Sequence, residues 1–75
     1  MSAMELTPVH RKLLSALESG EWLTRQQLAI ALRRTKSKLY PMDFIRLEEL
    51  EDAGIIEVVI QRSPRLYYTY RKVKA

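Results

Sequence analysis

Apolar residues recur at helical spacing in three stretches of this chain and alternate at strand spacing in two more near its end. Val9, Leu13, Leu14, Ala16 and Leu17 form the first stripe. It opens at Thr7-Pro8, where threonine caps an orphan N–H and proline suits the first helical position. Gly20 closes it as a left-handed cap residue. Trp22-Leu23 is too short for a helix and predicts a one-bridge strand. Thr24 and Gln27 then stand at capping-box spacing ahead of Leu28, Ala31 and Leu32, a second helix that fades near Arg33-Arg34. Thr35 to Lys38 is a polar connector without apolar periodicity, and Pro41 opens a third helix running to Ala53. At 100° per residue, Phe44, Leu47, Leu50, Glu51 and Gly54 share one side of that helix with Tyr40 and Asp43. Met42, Ile45, Glu49 and Asp52 lie opposite, with Arg46 on a flank.

Past Gly54 the period changes from helix to strand. Ile55-Ile56 leads into a strand through Arg62, and Leu66 to Val73 forms its partner across the turn Gln61-Arg62-Ser63-Pro64-Arg65. The alternation Val58/Ile60 and Leu66/Tyr68/Tyr70 predicts one hairpin face against the core. The expected fold class is α+β, in the order α-(β)-α-α-β-β, as a single domain over 1–75 with its core at about 7–73.

Composition narrows the chemistry. Seventy-five residues make one small core, which sets a low expectation for an enzyme. With no cysteine and a lone histidine, His10, the common zinc arrangements are excluded, and no cofactor or metal is expected. No apolar run approaches a membrane span, so a cytoplasmic chain without a membrane partner is the default. The net charge is +4. Its placement says more: from Pro41 to Gly54 one arginine faces five carboxylates, so the rest of the chain is a basic shell around one acidic helix. That suggests a polyanion partner, though not one lying along the whole third helix.

Helix two, a turn and helix three make a helix-turn-helix, with the hairpin as its wing. The chain therefore resembles winged helix-turn-helix transcription regulators. Leu47-Glu48-Glu49-Leu50-Glu51-Asp52-Ala53-Gly54-Ile55-Ile56-Glu57 is similar to the end of the recognition helix and the start of the wing in MarR-type and related bacterial or archaeal repressors. Leu23 to Ala29 is similar to the positioning helix. The resemblance covers about residues 7–73, and the connector from Arg34 to Tyr40 is longer than the usual turn. It implies double-stranded DNA binding by a small, nucleoid-associated transcription regulator. Such regulators commonly act as dimers; a homodimer here would have to use the first helix, the wing or a short terminal segment.

Groove dimensions say where the contacts belong: helix three at base edges, and phosphate donors on both sides of it. Arg25 and Gln26 open helix two; Lys36, Ser37 and Lys38 fill the connector; Arg62, Ser63 and Arg65 form the wing tip. Tyr40, Met42 and Arg46 complete the expected DNA-binding set around the start of helix three. Arg46 is its one obvious guanine or phosphate partner. Asp43 is expected to stabilise the helix N-terminus rather than to accept from cytosine.

Other readings stand beside these. Tyr67, Tyr68 and Tyr70 could stack on unpaired bases, but tyrosines in strands are more often packing residues. Trp22 is expected at the core or its edge, and His10 to be structural or solvent-exposed. Ile30, Met42 and Ile45 point away from the core sides of helices two and three, and a contiguous patch there would bind a protein partner instead. A positive band broken at Asp43 and Glu49 would favour that adaptor reading.

Overall fold

Each helix starts where a side chain satisfies a backbone donor. In the computed structural model, which describes residues 5–73, helix α1 spans Pro8–Ala16. The Thr7 hydroxyl accepts the His10 N–H at 3.3 Å, and the His10 Nδ1 accepts the Thr7 N–H at 2.9 Å. This is a capping box with histidine in the place usually taken by glutamate. Helix α2, Arg25–Ala31, repeats the device with Thr24 and Gln27, at 3.1 and 2.8 Å. Helix α3, Pro41–Asp52, is capped differently: the Tyr40 N–H donates to the Asp43 carboxylate at 2.8 Å.

Two helices end in one motif built from unlike residues. After α3, Gly54 takes φ 75°, the Gly54 N–H reaches the Glu51 carbonyl at 2.9 Å, and the Ile55 N–H reaches Leu50 at 3.0 Å. After α2, Arg33 takes φ 57°, with Arg33 N–H to Ile30 at 3.0 Å and Arg34 N–H to Ala29 at 2.8 Å. Both are Schellman turns, and the second puts a side chain where glycine is preferred. Lys36 and Ser37, in a short 3-10 turn at Thr35–Ser37, also have positive φ, 58° and 53°. Helix α1 ends earlier than Gly20 suggested: it stops at Ala16, and a turn carries the chain to Gly20 at φ 78°.

The strands are β1, Leu23–Thr24; β2, Ile56–Gln61; and β3, Tyr67–Lys72. They form a three-stranded antiparallel sheet in the order β1-β3-β2. The result is a small α+β fold of three helices and one sheet, compatible with a winged-helix-like architecture.

Leu13, Leu17, Leu28, Leu47, Leu50, Ile56 and Tyr70 make the core between the helices and the sheet. Each fully buried leucine contributes roughly 1.5–3 kcal/mol by leaving water. The hairpin only partly follows its alternation. Tyr70 is buried and Val58 and Tyr68 are half-buried, but Ile60 and Leu66 are 39% and 62% exposed. The outer half of the hairpin projects past the residues that could cover it. Phe44, expected on the core side, is 37% exposed, with the Arg25 guanidinium 4.6 Å above its ring. Trp22 lies outside the core, with the Arg71 guanidinium 4.6 Å from its ring centre.

Candidate nucleic-acid interface

Three of the six charged residues of α3, Asp43, Arg46 and Glu49, are paired inside the molecule. Asp43 is 1% exposed. Its carboxylate caps Tyr40 and takes both forks of Arg34, Nε at 3.0 Å and Nη2 at 2.8 Å. The bond to Asp43 raises the Arg34 pKa above its ordinary value. Helix-end stabilisation is therefore the role the structure gives Asp43, as the sequence suggested. The lateral reach of Arg34, across a connector with two left-handed residues, Lys36 and Ser37, was not visible in the sequence.

A second network sits on the other side of α3. Arg46 donates to Glu49 at 2.7 Å, and His10 Nε2 lies 2.9 Å from the same Glu49 oxygen. Because His10 Nδ1 accepts from Thr7, the ring proton sits on Nε2 and is donated to Glu49. His10 is buried and structural. The hydrogen bond from Arg46, followed by that from His10, holds the Glu49 carboxyl below its ordinary pKa. Arg46 is half-buried, and its Nε is a buried donor without a partner among the described residues. The residue expected to meet guanine or phosphate is thus turned toward its own helix.

Arg25 is likewise engaged. Its guanidinium lies between the rings of Phe44 and Tyr68, at 4.6 and 3.9 Å, and its Nε donates to the Tyr70 hydroxyl at 2.9 Å. Burial nevertheless keeps the Tyr70 phenol above its ordinary pKa. Arg25 thereby ties the start of α2 to the root of the hairpin, and covers Tyr68. Of the tyrosines considered for base stacking, Tyr70 is buried, Tyr68 carries Arg25, and Tyr67 is exposed.

The other expected cations are free. Lys36, Lys38, Arg62 and Arg65 are exposed, and none has a carboxylate within ion-pair distance among the described residues. Arg25, Gln26, Lys36, Ser37, Lys38, Leu39 and Phe44 line one open hollow of about 460 Å³. The structure thus joins the start of α2 to the connector. Arg25 and Gln26 also line a groove with Leu66, Tyr67 and Tyr68 of the hairpin. Arg62, Ser63 and Arg65 lie beyond that groove, exposed at the tip. Tyr40 and Met42 are exposed at the start of α3, Tyr40 with the Arg34 guanidinium 4.6 Å above its ring.

Within α3, the carboxylates left facing outward are confined to its later part. Glu48, Glu51 and Asp52 line a crevice with Arg25, Phe44, Tyr68 and Tyr70 at the hairpin root. Asp43 and Glu49, the two positions where a positive band would break, are each neutralised by an arginine. Among the described residues no group of histidines and carboxylates is placed to hold a metal ion, and no helix is long and apolar enough to cross a membrane. Comparison with protein-family models, with curated proteins and with solved structures finds no match to this chain.

Proposed function

We propose that this chain is a winged helix-turn-helix module that binds double-stranded DNA, as a small transcription regulator acting at the nucleoid. One observation carries the reading: pairing inside the fold neutralises Asp43 and Glu49 and, among the described residues, leaves the connector and wing cations unpaired. Lys36, Ser37 and Lys38 would meet phosphates on one side of α3, and Arg62, Ser63 and Arg65 on the other. Arg25 and Arg46 drop to supporting roles, since their guanidinium groups already have intramolecular partners. What remains at the start of α3 is mainly apolar, Met42 and Ile45, which suits a thymine methyl better than a hydrogen-bonding base edge. Binding of this kind is dominated by phosphate contacts, depends steeply on salt, and discriminates little between sequences.

A fluorescence anisotropy titration with a mixed-sequence duplex tests this. Affinity should fall as salt rises, and each of Lys36→Ala, Lys38→Ala, Arg62→Ala and Arg65→Ala should lower the log–log salt slope by about 0.9 for each phosphate it no longer neutralises. No binding at low salt, or no change when Arg62 and Arg65 are both replaced, would reject it.

A second reading rests on a separate observation. Ile30, Met42 and Ile45 are 57%, 46% and 49% exposed, on α2 and the start of α3. Such a surface suits a protein-interaction winged helix working as an adaptor. The same titration separates the two, because an adaptor gives no salt-sensitive duplex binding.

A further inference from the structure

Strand β2 ends the sheet, and the hydrogen-bond phase of the hairpin shows which of its groups face outward. The Val73 N–H donates to the Ile55 carbonyl at 2.9 Å. Residues 55 and 73 stand opposite each other in the register that pairs Ile56 with Lys72 and Val58 with Tyr70. Bonded and non-bonded pairs alternate along an antiparallel ladder. Glu57, Val59 and Gln61 therefore bond to β3, while the N–H and C=O groups of Ile56, Val58 and Ile60 point away from it. Among the described residues, no hydrogen bond reaches those outward groups.

Natural sheets blunt such an edge with lysine, proline or a bulge. Strand β2 reads Ile-Glu-Val-Val-Ile-Gln and has none of these. Its single charge, Glu57, is already paired with Arg71 at 3.0 Å. Val59 and Ile60, near the outer end of the strand, are exposed on opposite faces of the sheet. The edge is open, apolar and without net charge of its own.

We infer that this edge pairs with the same edge of a second copy of the chain, antiparallel about a two-fold axis at Val59. In that register Val59 faces Val59 of the second copy, Val58 faces Ile60, and Glu57 faces Gln61. Val58 and Ile60 exchange backbone bonds in both directions, which satisfies their outward groups. The half-buried Val58 covers the exposed Ile60, and the Gln61 amide can donate to the Glu57 carboxylate. A register centred on Val58 would instead set Glu57 against Val59, so polarity selects the first. The two sheets join into one continuous sheet, with both β1 strands at its ends. The contact covers little area, so the association belongs to the weak, transient class. It is independent of what the cationic surface binds.

The native chain contains no cysteine, which permits a direct test. Residues facing each other in a non-hydrogen-bonded pair lie with Cα atoms about 4.5 Å apart, within disulfide range. Under a glutathione redox buffer, Val59→Cys should accumulate disulfide-linked dimer at least about tenfold faster than Gln61→Cys, whose two copies would lie about 13 Å apart along the strands. In the unmodified protein, the sedimentation coefficient should rise with concentration, and the Val58 and Ile60 amides should exchange more slowly. Ile60→Pro should abolish the concentration dependence, because that N–H has no bond inside the chain. Equal cross-linking of the two cysteine variants overturns the register. A wild-type chain that sediments as a monomer throughout, with amide exchange at Val58 and Ile60 insensitive to concentration, overturns the pairing altogether. That second result would leave the edge to an extended segment of a different protein.

Discussion

Arg33 and Gly54 occupy equivalent positions after α2 and α3, and only one of them suits its backbone. A side chain in the left-handed region costs about 1 kcal/mol. Arg33 is exposed and forms no ion pair among the described residues, so Arg33→Gly should raise stability by about that amount, a thermal midpoint roughly 4–8 °C higher. Gly54→Ala should act in the opposite direction. A Cβ there would meet nothing within 4 Å, so the loss comes from backbone strain at φ 75° and not from a clash. Circular dichroism melts of both variants check the pair, and a shared sign would contradict the assignment. At the same scale, the Arg34–Asp43 pair should respond asymmetrically. Arg34→Met leaves a carboxylate that is 1% exposed without its countercharge, a loss of about 3–5 kcal/mol. Asp43→Asn should cost less in urea denaturation, because the Arg34 side chain, 15% exposed, can turn toward water.

Among the elements, the local signals were the legible ones. Thr7, Thr24 and Gly54 act on backbone groups within a few residues, so the helix starts and the end of α3 follow from short-range rules. The tie between α1 and α3 does not, since His10 and Glu49 stand 39 residues apart and meet only after packing. That tie has an acid-side signature. The folded pKa of Glu49 is depressed, so its contribution is present above the ordinary carboxylate range and is lost as pH falls through the folded value. Glu49→Gln should therefore lower the urea midpoint at about pH 7, and that loss should be smaller at about pH 3, below the ordinary carboxylate range. Equal losses at the two pH values would mean that the carboxylate's charge is not what links the helices. The inward turns of Arg25 and Arg46 were hidden for a related reason. Sequence position places an arginine on a helix face, but an aromatic ring or a carboxylate from another turn decides where its guanidinium goes.

For the molecule as a whole, the order of helices and strands was readable, and so was the grouping of cations in the connector and the tip. How far the hairpin extends beyond its support was not. Alternation assigns a strand residue to a face without saying whether anything lies opposite, and Ile60 and Leu66 have the right phase but little cover. The molecule measures 41 × 25 × 21 Å, and Arg62 to Leu66 are all exposed. Because this tip shares no packing with the leucine core, replacing Arg62 and Arg65 by alanine should leave the melting temperature within a few degrees of the wild type while duplex affinity falls. The overhang thus uncouples two properties that small domains usually trade against each other. Its charge and length can drift, and a lineage can retune what it grips, while the selection that keeps the chain folded acts elsewhere.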